Sequence, residues 1–495
     1  MRLQQFLEHH GIARNPFANE DAQTDPVFKE HCLTKTYHPS WDKIYGNPGE
    51  PSTSVVFGEK GAGKTALRLQ IRQHLEAHNQ AHLESRVWVI EYDDFNRFLD
   101  RFRDTLGRRG RRTDRMLNEW KLWDHMDAIL ALGVTQLVDR ILAIPPKGTK
   151  AADDRIDVSK LDRLQGRDLL LLAACYDQSL AESPKSRWQR LRRKLRYYRL
   201  SPYLPAMLGF LVTLIALGVV ATQDKWTWLE HPWIYLVVVA GWLPWLWRFL
   251  SRWNLARGVA RQVRVGEHQI NSLRKLLMRF PSEAIAGQPL PNKERTDDRY
   301  ELLIKFQGIL KALGYPGVIV LVDRVDEPHL INGSATQMRA LLWPMLDNKF
   351  LKHPGIGFKL LLPIELSHFI DREDHDFYQR ARLDKQNMVP SLEWTGEALY
   401  DVTNDRIRAC SVNGKQPTMR SLFEPSISDR RLVEALRSLR VPRHVFKFLD
   451  RLFVAHAGAH TDENPAWEIS SASFESTLAL YQRDQDAFDR GVGAG

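Results

Sequence analysis

The chain has 495 residues, 43% of them hydrophobic and 26% charged, enough for two or three domains with a buried core and too apolar for a disordered chain. Cys32, Cys175 and Cys410 stand far apart with no C-x-x-C spacing, so neither a disulfide framework nor a zinc site is supported. The net charge of +10 is local: residues 185–199 carry eight basic side chains and no acid, residues 248–264 carry five and none, and the remainder is slightly acidic, which disfavours a nucleic-acid-binding chain.

In chain order, residues 1–52 are a lead-in. They open too polar for a secretory signal and carry the turn sequences Asn15-Pro16-Phe17 and Asn47-Pro48-Gly49. Next, an apolar strand runs through Val55, Val56 and Phe57 into Gly58-Glu59-Lys60-Gly61-Ala62-Gly63-Lys64-Thr65-Ala66, which has the spacing G-x-x-x-x-G-K-[ST] followed by an amphipathic helix. Gly58 and Gly63 let the backbone curl round an anion, so that N–H groups and the helix N-terminus point at phosphate oxygens. Lys64 is expected to reach the β- and γ-phosphates of ATP, and Thr65 to hold Mg²⁺. Phe17, Trp41 and Tyr45 are candidate base contacts, with ordinary packing as the competing role.

Residues 86–92 read as a second strand, closing a first nucleotide-binding piece over 53–94. From 95 to 295 the pattern is helical. The cluster Arg108-Arg109-Gly110-Arg111-Arg112 within it reads as a solvated loop. Residues 204–222 carry no charge and as a helix would span roughly 28 Å, close to the thickness of a hydrocarbon core. A second charge-free run, 232–247, ends in Trp242, Trp245 and Trp247 and extends to 250 if Arg248 snorkels. Basic flanks, a slightly acidic turn and tryptophans at the boundaries predict a two-helix transmembrane hairpin with both chain ends in the cytoplasm.

Residues 296–394 resume the nucleotide-binding piece. A helix starts at Thr296, and the run Val318-Ile319-Val320-Leu321-Val322 closes on Asp323, as expected of a strand buried on both faces of a parallel sheet. Asp323 is placed to hold Mg²⁺ through water, and Asp326 and Glu327 to orient or deprotonate the attacking water. A further strand over 357–363 leads to Glu365, a candidate sensor of the γ-phosphate. The expected fold class is α/β: a P-loop NTPase parallel sheet between helices, a largely helical insert with the hairpin, and a helical lid over 395–460 before a tail, 461–495. His456 and His460 have the spacing of a helical metal pair but no third ligand fixed by spacing, and read as a solvated pair.

The loop at 58–65 and the strand at 318–327, separated by a membrane hairpin, resemble the KAP family of P-loop NTPases, in which transmembrane segments interrupt the Walker A and Walker B motifs. Asp323-Arg324-Val325-Asp326-Glu327 is similar to the D-x-x-D-E of STAND ATPases, although Arg324 stands where KAP proteins usually have a second acid. The resemblance, which covers roughly 58–93 and 297–452, implies ATP hydrolysis, homo-oligomers, an effector or sensor protein as partner, and a role in anti-phage defence. It also implies that Arg382 acts as an arginine finger on a neighbour's nucleotide and that Arg443, in Val441-Pro442-Arg443-His444, acts as a sensor in the lid. The competing expectation is a regulatory scaffold that binds ATP and barely hydrolyses it.

Overall fold

Five short, mostly apolar runs build the centre of the molecule. In a computed structural model, which describes residues 1–107, 112–144, 156–179, 182–222, 232–412 and 416–489, these runs are β1 (Ser54–Gly58), β2 (Val87–Tyr92), β3 (Gly317–Val322), β4 (Ile356–Pro363) and β5 (Asn387–Val389). They form one parallel sheet in the order β2-β3-β4-β1-β5. The main helices are α1 (Lys64–Ala81), α2 (Leu122–Leu142), α3 (Arg163–Tyr176), α4 (Leu204–Thr222), α5 (Pro232–Gln262), α6 (Thr296–Ala312), α7 (Gly396–Ala409), α8 (Pro442–Ala459) and α9 (Ser471–Asp489). The turn at 223–231 and Arg108–Arg111 of the basic cluster lie outside the described residues.

Because successive strand residues point to opposite faces, each strand feeds two cores. Val56, Ile319, Leu321 and Leu361 meet Leu67, Ile71 and Leu75 of α1 on one face. On the other, Phe57, Ile90, Val320 and Leu360 meet α2, α3 and α6 through Leu130, Leu169 and Phe306. The helices of 95–295 therefore share one layer of the sheet's packing with α6 rather than forming a body of their own. The layers come close at Gly133 of α2, where a Cβ would stand 2.8 Å from Phe306 and 2.9 Å from Ile90.

A third core holds the lid. It joins α7, α8 and α9 with Phe6, Leu7, Ile12 and Phe17, so the first residues of the chain belong to the lid and not to the sheet. Arg406 of α7 fixes this junction, ion-paired with Asp25 at 2.6 Å and donating to the Pro16 carbonyl at 2.7 and 2.9 Å.

Two helices, α4 and α5, are long and apolar enough to cross a membrane. They pack on each other at small residues: Gly209 faces Trp242, Gly241 faces Val212, and Trp242 Nε1 donates to Thr213 Oγ1 at 3.0 Å. Their outer faces stay bare, with Leu211 53% and Leu236 67% exposed, and only 11% of the most apolar stretch of each helix is buried, unlike a core helix of a soluble protein. The second helix exceeds its sequence-based limit. It continues through Pro244 to Gln262, about 46 Å at 1.5 Å per residue, so its last third enters the body. Arg248 does not snorkel there. It is buried, donating to the carbonyls of Pro202, Met278 and Phe280.

Candidate functional site

The loop 58–63 leaves β1 and turns into α1 through two residues that only glycine adopts easily, Gly61 at φ +92° and Gly63 at φ +94°. Gly63 caps α1, so the helix begins at Lys64 with its first N–H groups directed back into the loop. Lys64 Nζ donates to the carbonyls of Gly58 at 2.8 Å and Glu59 at 3.0 Å. Burial pushes this ammonium down, opposed by the carboxylates of Asp326, Asp323 and Glu365, so the segments after β3 and β4 turn three acids towards one lysine.

Asp323 follows the last residue of β3 and is 1% exposed. Its Oδ2 accepts from Thr65 Oγ1 at 3.1 Å, which brings together residues separated by the whole helical segment and the hairpin. The same oxygen stands 3.4 Å from Arg68 Nε. Arg68 lies one turn beyond Lys64 on α1, almost fully buried, and also pairs with Asp93 and, at 3.4 Å, with Glu91. Burial raises the Asp323 carboxyl, and Arg68 and the Thr65 hydroxyl pull it back towards ionisation. Arg68 escapes a reading of the sequence because its three partners lie on other elements; its i+4 spacing from Lys64 is the one signal available.

Past Asp323 the chain turns through Arg324 at φ +60°, bringing Asp326 and Glu327 to the surface. Glu327 lies 3.5 Å from Arg324 Nε, and its carboxyl is raised by partial burial, opposed by Arg324 and reinforced by Asp326 and Asp323. Between β1 and β3 runs β4, and Glu365 just past its end is one of the acids facing Lys64.

The lid closes on the loop at two points. Arg443 N donates to the Gly61 carbonyl at 3.4 Å, and its Cβ stands 2.6 Å from where a Cβ on Gly61 would lie. Any side chain at 61 would displace Arg443. Its Nε is buried without a hydrogen-bond partner among the described residues. Trp394 Nε1 donates to the Ala62 carbonyl at 2.8 Å. Beside these contacts a small pocket of about 90 Å³ is lined by Gly61, Gly63, Ala66, Phe28, Trp394 and Phe446.

Other expected residues lie elsewhere. Phe17 is packed into the lid core against Phe446 and Phe453, while Trp41 stacks on Tyr45 beside His74, so the aromatic pocket wall comes from Phe28, Trp394 and Phe446 instead. Arg382 precedes β5, whose Asn387 pairs with Ser54 at the start of β1. It therefore sits where the strands begin, whereas the glycine loop is where they end, and its ionic partner is Asp384 at 3.5 Å. His456 is not solvated: it is 1% exposed, packs on Phe6 and bonds the Ala466 carbonyl. No cluster of three or more metal-binding side chains occurs among the described residues.

Comparison with known proteins finds no matching family model, no matching curated protein and no matching solved structure.

Proposed function

We propose that the chain is a membrane-anchored P-loop NTPase of the KAP type that binds ATP with Mg²⁺ and couples nucleotide state to assembly or signalling. The observation that carries this reading is the 3.1 Å contact between Thr65 and Asp323, because a loop-helix hydroxyl and a strand-end carboxylate sharing one point are the two protein groups such a cation needs. Loop 58–63 and Lys64 bind the phosphates. Thr65 and Asp323 would hold Mg²⁺, which when bound neutralises charge on the phosphate oxygens. Asp326 or Glu327 orients the attacking water and takes its proton, while Arg443 answers for the lid across Gly61.

The bare faces of α4 and α5 support a multi-pass anchor in the cytoplasmic membrane with both termini in the cytoplasm. Through the KAP resemblance the reading extends to a homo-oligomer joined by Arg382, a sensor or effector protein as partner, and anti-phage defence. One observation favours the scaffold reading: Glu327 is engaged by Arg324 in an ion pair at 3.5 Å, which a water-orienting role would have to break.

Single-turnover ATP hydrolysis by the detergent-purified full chain tests both. Lys64→Ala and Asp323→Asn should reduce turnover at least about 100-fold, the scale of a lost transition-state contact. Wild type no faster than these variants removes the enzyme reading, and nucleotide binding unaffected by Lys64→Ala removes the site itself.

A further inference from the structure

At the root of the hairpin, where α4 begins and α5 leaves its bare apolar stretch, an open cleft of about 780 Å³ carries Arg248, Arg252, Lys293, Asp298 and Ser282 on its walls, with Trp247 at its rim. Arg248 is spent on the carbonyls of Pro202, Met278 and Phe280, which tie the hairpin to the body. Arg252, one turn along, is not. It is 6% exposed, has no hydrogen bond or ion pair among the described residues, and its Nε is buried without a partner. Asp298 shares the cleft without forming an ion pair to it, leaving three cations against one acid.

A guanidinium withdrawn from water with nothing to accept from it is unfavourable unless an anion reaches it. The height of the residue says which anion. From Pro232 to Arg252 the helix rises roughly 30 Å, the thickness of a hydrocarbon core, which puts the cleft at the level of the headgroups. The exposed Trp247 beside it is the residue type that settles at that level.

We propose that this cleft binds the phosphate of an anionic phospholipid headgroup, gripped by the Arg252 fork with Lys293 and the Ser282 hydroxyl as further donors. Arg248 adds positive field without direct contact. The proposal rests on the hairpin lying in a bilayer, and its test separates the two.

Full-length protein in nanodiscs of phosphatidylcholine with phosphatidylglycerol is released into detergent and weighed by native mass spectrometry. Wild type should keep a phosphatidylglycerol molecule; Arg252→Gln should cut the retained fraction at least five-fold, Arg252→Lys should restore it in part, and Lys293→Gln, on the exposed wall, should cut it about two-fold. Arg261→Gln, exposed on α5 outside the cleft, should change nothing. Equal retention by wild type and both Arg252→Gln and Lys293→Gln overturns the site, as does an equal loss in Arg261→Gln, which would mean diffuse attraction. A second arm offers millimolar inorganic phosphate to protein in phosphatidylcholine alone; thermal protection by phosphate with no lipid retention overturns the lipid source. Release of wild type from native membranes by a carbonate wash is a different failure, that of the anchor.

Discussion

Asp323 and Lys359 show how differently one sheet treats its buried charges. Asp323 is surrounded by Thr65, which donates a hydrogen bond to it, and Arg68, whose charge stands 3.4 Å away, and both offset its desolvation. Lys359, on the central strand β4, is fully buried with the Ser52 carbonyl as its acceptor at 2.9 Å, and burial pushes its ammonium down from 10.5 to about 7. Since the folded value is the lower one, the unfolded chain holds the extra proton between about pH 7 and 10.5, and stability rises with pH across that window. Lys359→Met removes the penalty. Its melting temperature should exceed that of wild type by about 2 °C or more at pH 7, with the gap closing towards pH 10; a gap constant with pH would mean a lysine that stays charged and paired. Nothing around position 359 in the sequence marks it, because a lysine inside an apolar run looks like a strand's solvent face. Asp323 was legible, since an apolar run ending in an acid is a local pattern.

At the scale of elements, helices meet their neighbours where a side chain is missing. Gly133 lets α2 approach β2 and α6, and Gly209 and Gly241 do the same for the hairpin. A Cβ at Gly166, in α3, would meet nothing within 4 Å beyond its own helix. The two soluble positions should therefore respond oppositely: Gly133→Val should lose about 1–3 kcal/mol through overpacking, whereas Gly166→Ala should gain about 0.5–1 kcal/mol by helix propensity. Denaturant midpoints of the two variants check this, and a neutral Gly133→Val would mean that α2 can lift off the sheet. Element limits followed the sequence where the signal was continuous. The first apolar helix occupies 204–222 as expected, and the strands at 87–92 and 317–322 shift by a residue. The second helix outran its expected end because charged residues stop an apolar run without stopping a helix. Three-residue β5 left too short a pattern to read.

Across the whole molecule, the sheet and the lid meet at the glycine loop, where Arg443 backs Gly61 and Trp394 holds Ala62. Nucleotide on the loop should thus tighten the lid. Hydrogen exchange in 396–409 and 442–459 should slow several-fold when ATP and Mg²⁺ are added to wild type, and not in Lys64→Ala; equal protection in both would uncouple lid from loop. The lid itself is assembled from the two ends of the chain, with Phe6 and Phe17 beside Phe453, and Phe448 against Phe474 and Tyr481. By itself the sequence determined the glycine loop, the acid-ended strand and the apolar hairpin, because each is a backbone or solvent requirement met within one short stretch. Only the tertiary structure decided that residues 1–17 join the lid, that the helices of 95–295 pack on the sheet, that Arg68 rather than a nearer cation serves Asp323, and that Arg252 is left without an acceptor among the described residues. Those outcomes depend on which distant segments share a desolvated space, and a charge buried there is satisfied or stranded by neighbours that no local pattern names.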